Sequence, residues 1–191
     1  MTSPSQHLFW IASSAAGICA LVMASLAVTA GLALGGHLGA LRGRSAQVRT
    51  LHEACSIAAL LALAVHGLAL LGDAYLKPGI AGIAIPFAGA YRPFWTGLGI
   101  IGAYGLAALS LSYYARRRIG VARWRVLHRF VALFWLLGIV HTLGAGTDTG
   151  HAWFLVLLAI VVGPPFALLA MRWGQTVDVP VEPSQGAHPT A

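Results

Sequence analysis

Four histidines are the residues of this chain that are best suited to bind a metal or a cofactor. His52 and His66 lie in one strongly apolar stretch, and His128 and His141 lie in another. Ionisable side chains are costly inside a membrane and usually mark a functional site there. A neutral imidazole binds a metal through one ring nitrogen while the other carries a proton. The four histidines therefore predict a metal or cofactor site. A metal pathway, or structural hydrogen bonding and packing at helix ends, are the alternatives.

The composition indicates an integral membrane protein. Of the 191 residues, 58% are hydrophobic and only 9% are charged, whereas a soluble domain carries about 25% charged residues. Soluble enzymes and most DNA-binding proteins are thereby excluded, and no nucleic-acid partner is expected. A membrane-spanning helix needs about 20 apolar residues, and five stretches qualify: 8–34, 51–71, 94–114, 127–143 and 152–171. We predict an all-α bundle of five transmembrane helices within residues 1–174, followed by a disordered tail over 175–191.

The positive charges predict how this bundle lies in the membrane. Of the 12 Lys and Arg residues, ten fall in or beside the first and third loops or just after the last span, and only Lys77 and Arg92 fall in the second loop. By the positive-inside rule, the N-terminus is outside and the C-terminus is in the cytoplasm. The N-terminal apolar run is longer than the roughly 7–15 residues of a signal peptide, so we predict a retained first helix. The expected location is the cytoplasmic membrane, as a multi-pass protein.

This topology places the four histidines at two depths. The second and fourth spans both run outward, so His52 and His128 share an inner level, and His66 and His141 share an outer level. Separations of 14 and 13 residues correspond to roughly 20 Å along a helix. Two stacked b-type haems, each bound by one histidine above and one below the iron, would occupy such levels. A spacing of 14 returns to within about 40° of the same helix face, but 13 misses it by about 140°. The fourth span therefore fits only if it is overwound or if the two haems are rotated relative to each other.

The histidine spacing and the topology resemble the ferric reductase-like transmembrane domain. This haem core is shared by ferric reductases, NADPH oxidases and the haem-bearing membrane subunit of the bacterial methionine sulfoxide reductase system. The resemblance covers about residues 8–172. It implies two haem b groups, with His52 and His128 on the inner iron and with His66 and His141 on the outer iron. It also implies an aromatic residue between the haems at Phe134, beside Trp135. Ordinary apolar packing is the alternative for Phe134.

The resemblance further implies electron transfer across the membrane, as a component of an oxidoreductase. Larger members carry a sixth span and a flavin- and nicotinamide-binding module, for which these 191 residues have no room. We therefore expect a separate flavoprotein, a quinol or another electron donor, and an extracytoplasmic acceptor such as ferric iron or a partner redox protein. Oxidase members have a further histidine where this chain has Leu70, so superoxide production is not expected. The alternative is a non-catalytic membrane subunit, or a haem or metal transporter that uses the same histidines.

Several other residues have two possible roles. Arg129 adjoins His128, and a guanidinium there would bind the anionic propionates of an inner haem; Arg125 and Arg49 are further candidates. The positive-inside rule alone explains the same arginines. Gly31 belongs to a run of small residues that permits close helix approach or leaves space for a porphyrin. His151 would either contact an external acceptor or lie at the membrane interface.

Overall fold

The computed structural model describes residues 5–36 and 43–177, with side chains over residues 7–36 and 43–172. All regular structure in these residues is helical, and no strand occurs among them. Two short 3₁₀ turns, Ser112–Ala115 and Asp148–Gly150, accompany the α-helices. The eight α-helices are α1 (Ser5–Gly35), α2 (Ser45–Leu70), α3 (Gly79–Ala84), α4 (Pro93–Leu111), α5 (Arg116–Ile119), α6 (Val121–His128), α7 (Val131–Ala145) and α8 (Ala152–Val177).

Within the described residues, five helical segments are long and apolar enough to cross a membrane, as the five-helix prediction expects. They are His7–Gly35, Ser45–Leu70, Pro93–Ile119, Val121–Ala145 and Ala152–Arg172. Several extend beyond the predicted spans, because hydropathy detects the apolar part of a helix and not the end of its hydrogen-bond ladder. The helix α8 continues to Val177, so residues 175–177 of the predicted tail are helical. The rest of that tail, 178–191, lies outside the described residues.

The helices associate mainly as two pairs. The helix α2 packs along α1, and α7 packs along α4, while α1 also contacts α8 and α7. In contrast, the two helices that carry most of the predicted site, α2 and α7, have almost no close backbone contact within the described part of the chain. Space between these helices is what a cofactor held between them requires.

Trp135 of α7 is the largest side chain of the buried core. It is only 1% exposed and packs among small and branched residues of α1, α2 and α8. Its indole N–H donates a hydrogen bond to the hydroxyl of Ser25 on α1 over 2.9 Å. Tryptophan normally finds such a partner when it is buried. The contact connects the two helix pairs near the middle of the bundle. The other core residues are Ala24, Val28, Ala59, Ile139 and Val162.

The fourth span is interrupted between α6 and α7, at Arg129 and Phe130. Around this break, backbone hydrogen bonds run from one residue to the third before it, for example from Phe130 to Leu127 and from Leu133 to Phe130. Such 3₁₀ turns rotate the chain by about 120° per residue instead of about 100°. Four such bonds occur, from Arg129, Phe130, Ala132 and Leu133, and they add about 80°, which is part of the 140° by which the 13-residue spacing misses one face. The fourth span is thus overwound at this break.

The two ends of the bundle differ in charge. Arg44, Arg49, Arg172 and the arginines of α5 and α6 lie at one end, here called the arginine-rich end; the opposite one is called the distal end. At the arginine-rich end, Arg172 of α8 donates a 3.1 Å hydrogen bond to the carbonyl of Gly35 at the end of α1. At the distal end, Arg92 and Tyr91 donate to the carbonyls of Gly144 and Ala145 over 2.6 and 3.1 Å. Both ends of the bundle are thus tied by long-range hydrogen bonds to free helix carbonyls.

Candidate functional site

The four histidines form two pairs, one at each level of the bundle. The ring centres of His52 and His128 are 6.2 Å apart, with 85° between the ring planes. Those of His66 and His141 are 6.4 Å apart, with 71° between the planes. The first pair lies toward the arginine-rich end and the second toward the distal end. Each pair joins α2 to the fourth span, so each level receives one imidazole from each side of the space between these helices.

Three of the four imidazoles are held by backbone carbonyls. The Nδ1 atoms of His52 and His66 bond the carbonyl oxygens of Ala27 and Ser13 on α1, both at 2.8 Å. The Nδ1 atom of His141 bonds the carbonyl oxygen of Trp95 on α4 at 3.0 Å. A carbonyl can only accept, so Nδ1 carries the proton and Nε2 keeps the lone pair. This is the tautomer that a metal-binding histidine adopts, with its second nitrogen fixed by an outer partner.

His128 is held differently. Its Nδ1 atom is buried and has no hydrogen-bond partner among the described residues. The main chain of Leu109 faces the ring, but in a geometry that falls short of a hydrogen bond. The ring instead stacks on Trp124, one turn earlier in α6, with 4.9 Å between ring centres and 26° between planes. The pair near the arginine-rich end thus has one anchored and one stacked imidazole.

A cavity adjoins His52 and His128. The space in it that a water-sized molecule could occupy is small, about 30 Å³, and the surrounding empty volume of about 400 Å³ includes open solvent. Its walls come from α1, α2, α4, α6 and α7, and apart from the two histidines only two serines contribute polar side chains. A mostly apolar wall with a few polar groups is typical of cofactor sites. The remaining lining residues are Ala24, Ala27, Val28, Ser56, Ala59, Leu60, Leu63, Leu106, Ser110 and Val131.

Phe134 and Trp135 lie between the two histidine levels on α7. Phe134 is half-buried, and its ring sits directly over Gly105 of α4. Along α4, Gly105 lies between Leu109, which faces His128, and Trp95, which holds His141. Trp135 points instead toward α1 and the core. Phe134 is therefore at the height that the predicted inter-haem position requires.

The predicted arginines are placed near the first pair but make no contact with it. Arg129 follows His128 directly at the break of the fourth span and is exposed, as are Arg125 and Arg49. None of the three makes a side-chain hydrogen bond within the described residues. At the distal end, His151 is exposed after the Asp148–Gly150 turn and lies outside both pairs. Within the part of the chain that the structure describes, no group of three or more His, Cys, Asp or Glu side chains converges.

Reasoning from the sequence missed the groups that orient the rings. Ser13 is 2% exposed, and its hydroxyl donates to the carbonyl of His66 over 3.0 Å and lies 3.1 Å from His66 Nδ1. The sequence does show a serine in an apolar span, and this was a signal that Ser13 has a hydrogen-bond partner inside the bundle. The carbonyls of Ala27 and Trp95 gave none, because every residue has a carbonyl and only the helix register selects these two.

Comparison with known proteins found no matching family model, no matching curated protein and no matching solved structure.

Proposed function

We propose that this protein is a di-haem b membrane cytochrome of the ferric reductase-like kind, which carries electrons across the membrane from a separate donor to an extracytoplasmic acceptor. The observation that carries the proposal is the pair of facing histidines at each of two levels. His52 and His128 would bind one haem iron, and His66 and His141 the other. When bound, haem supplies reversible one-electron redox chemistry, and the protein supplies ligation, orientation and burial.

The spacing within each pair supports two imidazoles on one metal. A metal-to-nitrogen distance of about 2.0–2.1 Å on each side places the centres of two opposed imidazole rings about 6.4 Å apart. The measured separations are 6.2 and 6.4 Å. Rings in direct van der Waals stacking would lie closer, as His128 and Trp124 do at 4.9 Å. Both separations therefore agree with two imidazoles bound to one metal atom.

The donor set favours haem over a bare metal ion. Each level offers two imidazoles, whereas a structural metal ion bound by side chains alone takes four or more ligands. Haem iron is bound in its plane by the porphyrin and needs only axial ligands from the protein. The mostly apolar residues around His52 and His128 would surround such a group with few polar side chains. Phe134, between the levels, is the side chain we assign to the path between the two sites.

The charges support the orientation and the partners. We assign the arginine-rich end to the cytoplasm by the positive-inside rule, with the protein in the cytoplasmic membrane, because the sequence has ten of its 12 Lys and Arg residues in or beside the first and third loops and after the last span. The donor would then meet the His52 and His128 level, and it would be a flavoprotein, a quinol or another reductant. The acceptor, ferric iron or a redox protein, would meet the His66 and His141 level. Arg129 is free to bind propionates of the first haem.

The proposal is tested by measuring haem on the purified protein. We expect a reduced-minus-oxidised difference spectrum of b type, and two haems per chain in a pyridine haemochrome assay. His66→Ala is expected to remove one haem and stop transfer across the membrane while the other haem stays reducible. His151→Ala is the matched control, because this exposed histidine belongs to neither pair, and it is expected to keep both haems.

Two results would overturn the proposal. A well-folded chain with no b-type spectrum, or with clearly fewer than two haems, would contradict the cytochrome assignment. Haem or metal that crosses the membrane in vesicles, without any redox change, would favour a transporter that uses the same histidines. Loss of both haems from His66→Ala would show that the two levels are not independent.

A further inference from the structure

The three anchoring carbonyls share a sequence feature. Each is followed four residues later by a glycine, and the anchored histidine ring lies against that glycine. Ser13 is followed by Gly17 under His66, Ala27 by Gly31 under His52, and Trp95 by Gly99 under His141. The same arrangement therefore occurs on two helices and at both histidine levels.

Helix geometry explains why a glycine is needed there. Every Cα–Cβ bond tilts toward the N-terminus of its helix, so a side chain covers the turn that precedes it. The carbonyl of residue i already accepts the N–H of residue i+4, and a Cβ at i+4 would crowd a bulky imidazole ring that approaches the same oxygen. A Cβ built at Gly99 would lie 2.5 Å from Nδ1 of His141. At Gly17 it would lie 3.0 Å from Nδ1 of His66, and at Gly31 3.2 Å from Cε1 of His52.

The unanchored histidine shows the opposite arrangement. The main chain facing His128 belongs to Leu109, and four residues later the chain has Tyr113 instead of glycine. The Leu109 carbonyl is also occupied, because the hydroxyl of Ser112 donates to it over 2.6 Å. That hydroxyl in turn accepts the indole N–H of Trp124 at 3.1 Å. The carbonyl that could anchor His128 is thus already in use by another donor.

We propose that Gly17, Gly31 and Gly99 are positioning residues that expose a helix carbonyl to a haem-ligating histidine, and that the two haem sites are unequal because His128 lacks this device. The inference rests on the proposed function. A hydrogen bond from Nδ1 raises the basicity of an imidazole ligand and fixes its orientation. The site of His66 and His141, anchored on both sides, therefore holds its haem more tightly. A more basic ligand also favours ferric iron, so the anchors lower the reduction potential of the iron they serve.

The test is a series of single Gly→Ala substitutions in the full-length protein. Haem content, haem affinity and the two midpoint potentials are measured on each variant. Gly99→Ala forces the closest contact and is expected to empty the site of His66 and His141, leaving one haem per chain. Gly17→Ala and then Gly31→Ala are expected to act more weakly, with affinity for the affected haem lowered by about 10–100-fold, the usual cost of losing an outer partner of a metal ligand. In each of these two variants, the haem bound by the affected histidine is expected to have a higher midpoint potential than in the wild type.

Gly163→Ala is the control, since apart from its chain neighbours, which include Pro164, a Cβ there meets nothing within 4 Å. Alanine is favoured over glycine within helices, so haem loss cannot be attributed to helix propensity. Helicity and thermal unfolding identify any variant that fails to fold. If Gly99→Ala or Gly17→Ala fails, the inference is tested on Gly31→Ala, which forces the mildest contact, through the midpoint potential of its haem at the site of His52 and His128. If the wild type binds two haems but the three variants match Gly163→Ala in affinity and potential, the inference is wrong and the proposed function stands. If the wild type binds no haem, the proposed function itself fails.

Discussion

The hydrogen bond between Trp135 and Ser25 should couple the two helix pairs energetically. Both side chains are 1% exposed, and the bond is 2.9 Å long. Ser25→Ala removes the acceptor and leaves a buried indole N–H unpaired, which costs about 1–3 kcal/mol in proteins generally. Interhelical hydrogen bonds in membranes average about 0.6 kcal/mol and reach about 1.7. Because so little of either group is exposed, we expect a loss of about 1–2 kcal/mol in the free energy of unfolding.

A double-mutant cycle measures this coupling directly. Ser25→Ala, Trp135→Phe and the double variant are unfolded in mixed detergent micelles at equal cofactor content, with helicity as the signal. Trp135→Phe should cost more than Ser25→Ala, because it also leaves a void, and the coupling energy should be about 1 kcal/mol. Thr29→Ala is the control, since its hydroxyl bonds the Ser25 carbonyl within α1 and does not cross to α7. A Ser25–Trp135 coupling below about 0.3 kcal/mol, or one no larger than the Thr29–Trp135 coupling, would refute the reasoning.

Three further predictions concern the electron path, the first haem and the orientation. If the proposed function holds, Phe134→Leu should keep both haems and change the free energy of unfolding by less than about 1.5 kcal/mol, while stopped-flow absorbance should record slower electron transfer between the two sites. The control Phe130→Leu, at an exposed position, should leave this rate unchanged. Equal rates in the two variants would show that Phe134 is not on the path. Arg129→Gln should lower haem affinity at the site of His52 and His128 by about tenfold or more, because a charge-assisted bond to a propionate is lost. If a haem titration finds the affinity unchanged, the positive-inside rule alone explains why an arginine lies at this position. A reporter that fluoresces only in the cytoplasm should be active when fused after residue 191 and inactive when inserted within 72–92, and the reverse pattern would invert the topology.

The sequence was informative about the bundle because its signals there are strong and local. Five long apolar runs on a chain with few charges define spanning helices, and the structure has five such helices. Helix ends were less accurate: α2 begins at Ser45, six residues before the predicted span, since polar residues continue the hydrogen-bond ladder beyond the apolar core. The level of each histidine followed from counting residues, and the structure pairs His52 with His128 and His66 with His141.

Other features depend on contacts between helices, which local sequence patterns do not predict. The 13-residue spacing in the fourth span does not fit one helix face, and the tight turns around Arg129 and Phe130, which no local pattern predicts, supply part of the missing rotation. The anchoring of the rings depends on the register of α1 against α2. One sequence signal for it did exist: Gly17 and Gly31 are 14 residues apart, the same separation as His52 and His66. On two antiparallel helices, equal separations let both glycines meet both histidines at once.

The pairing of α1 with α2 and of α4 with α7 has a consequence for how the molecule is assembled during synthesis. Each helical hairpin contains one histidine for each level, and the first hairpin already carries the carbonyls that orient both of its rings. Neither hairpin alone brings two imidazoles face to face. Both levels therefore come into existence in a single event, when the second hairpin docks against the first in the lipid. A cofactor bound by both imidazoles of one level, as proposed above, would therefore enter during this docking or after it, and until then His52 and His66 would be oriented but without their partner imidazoles.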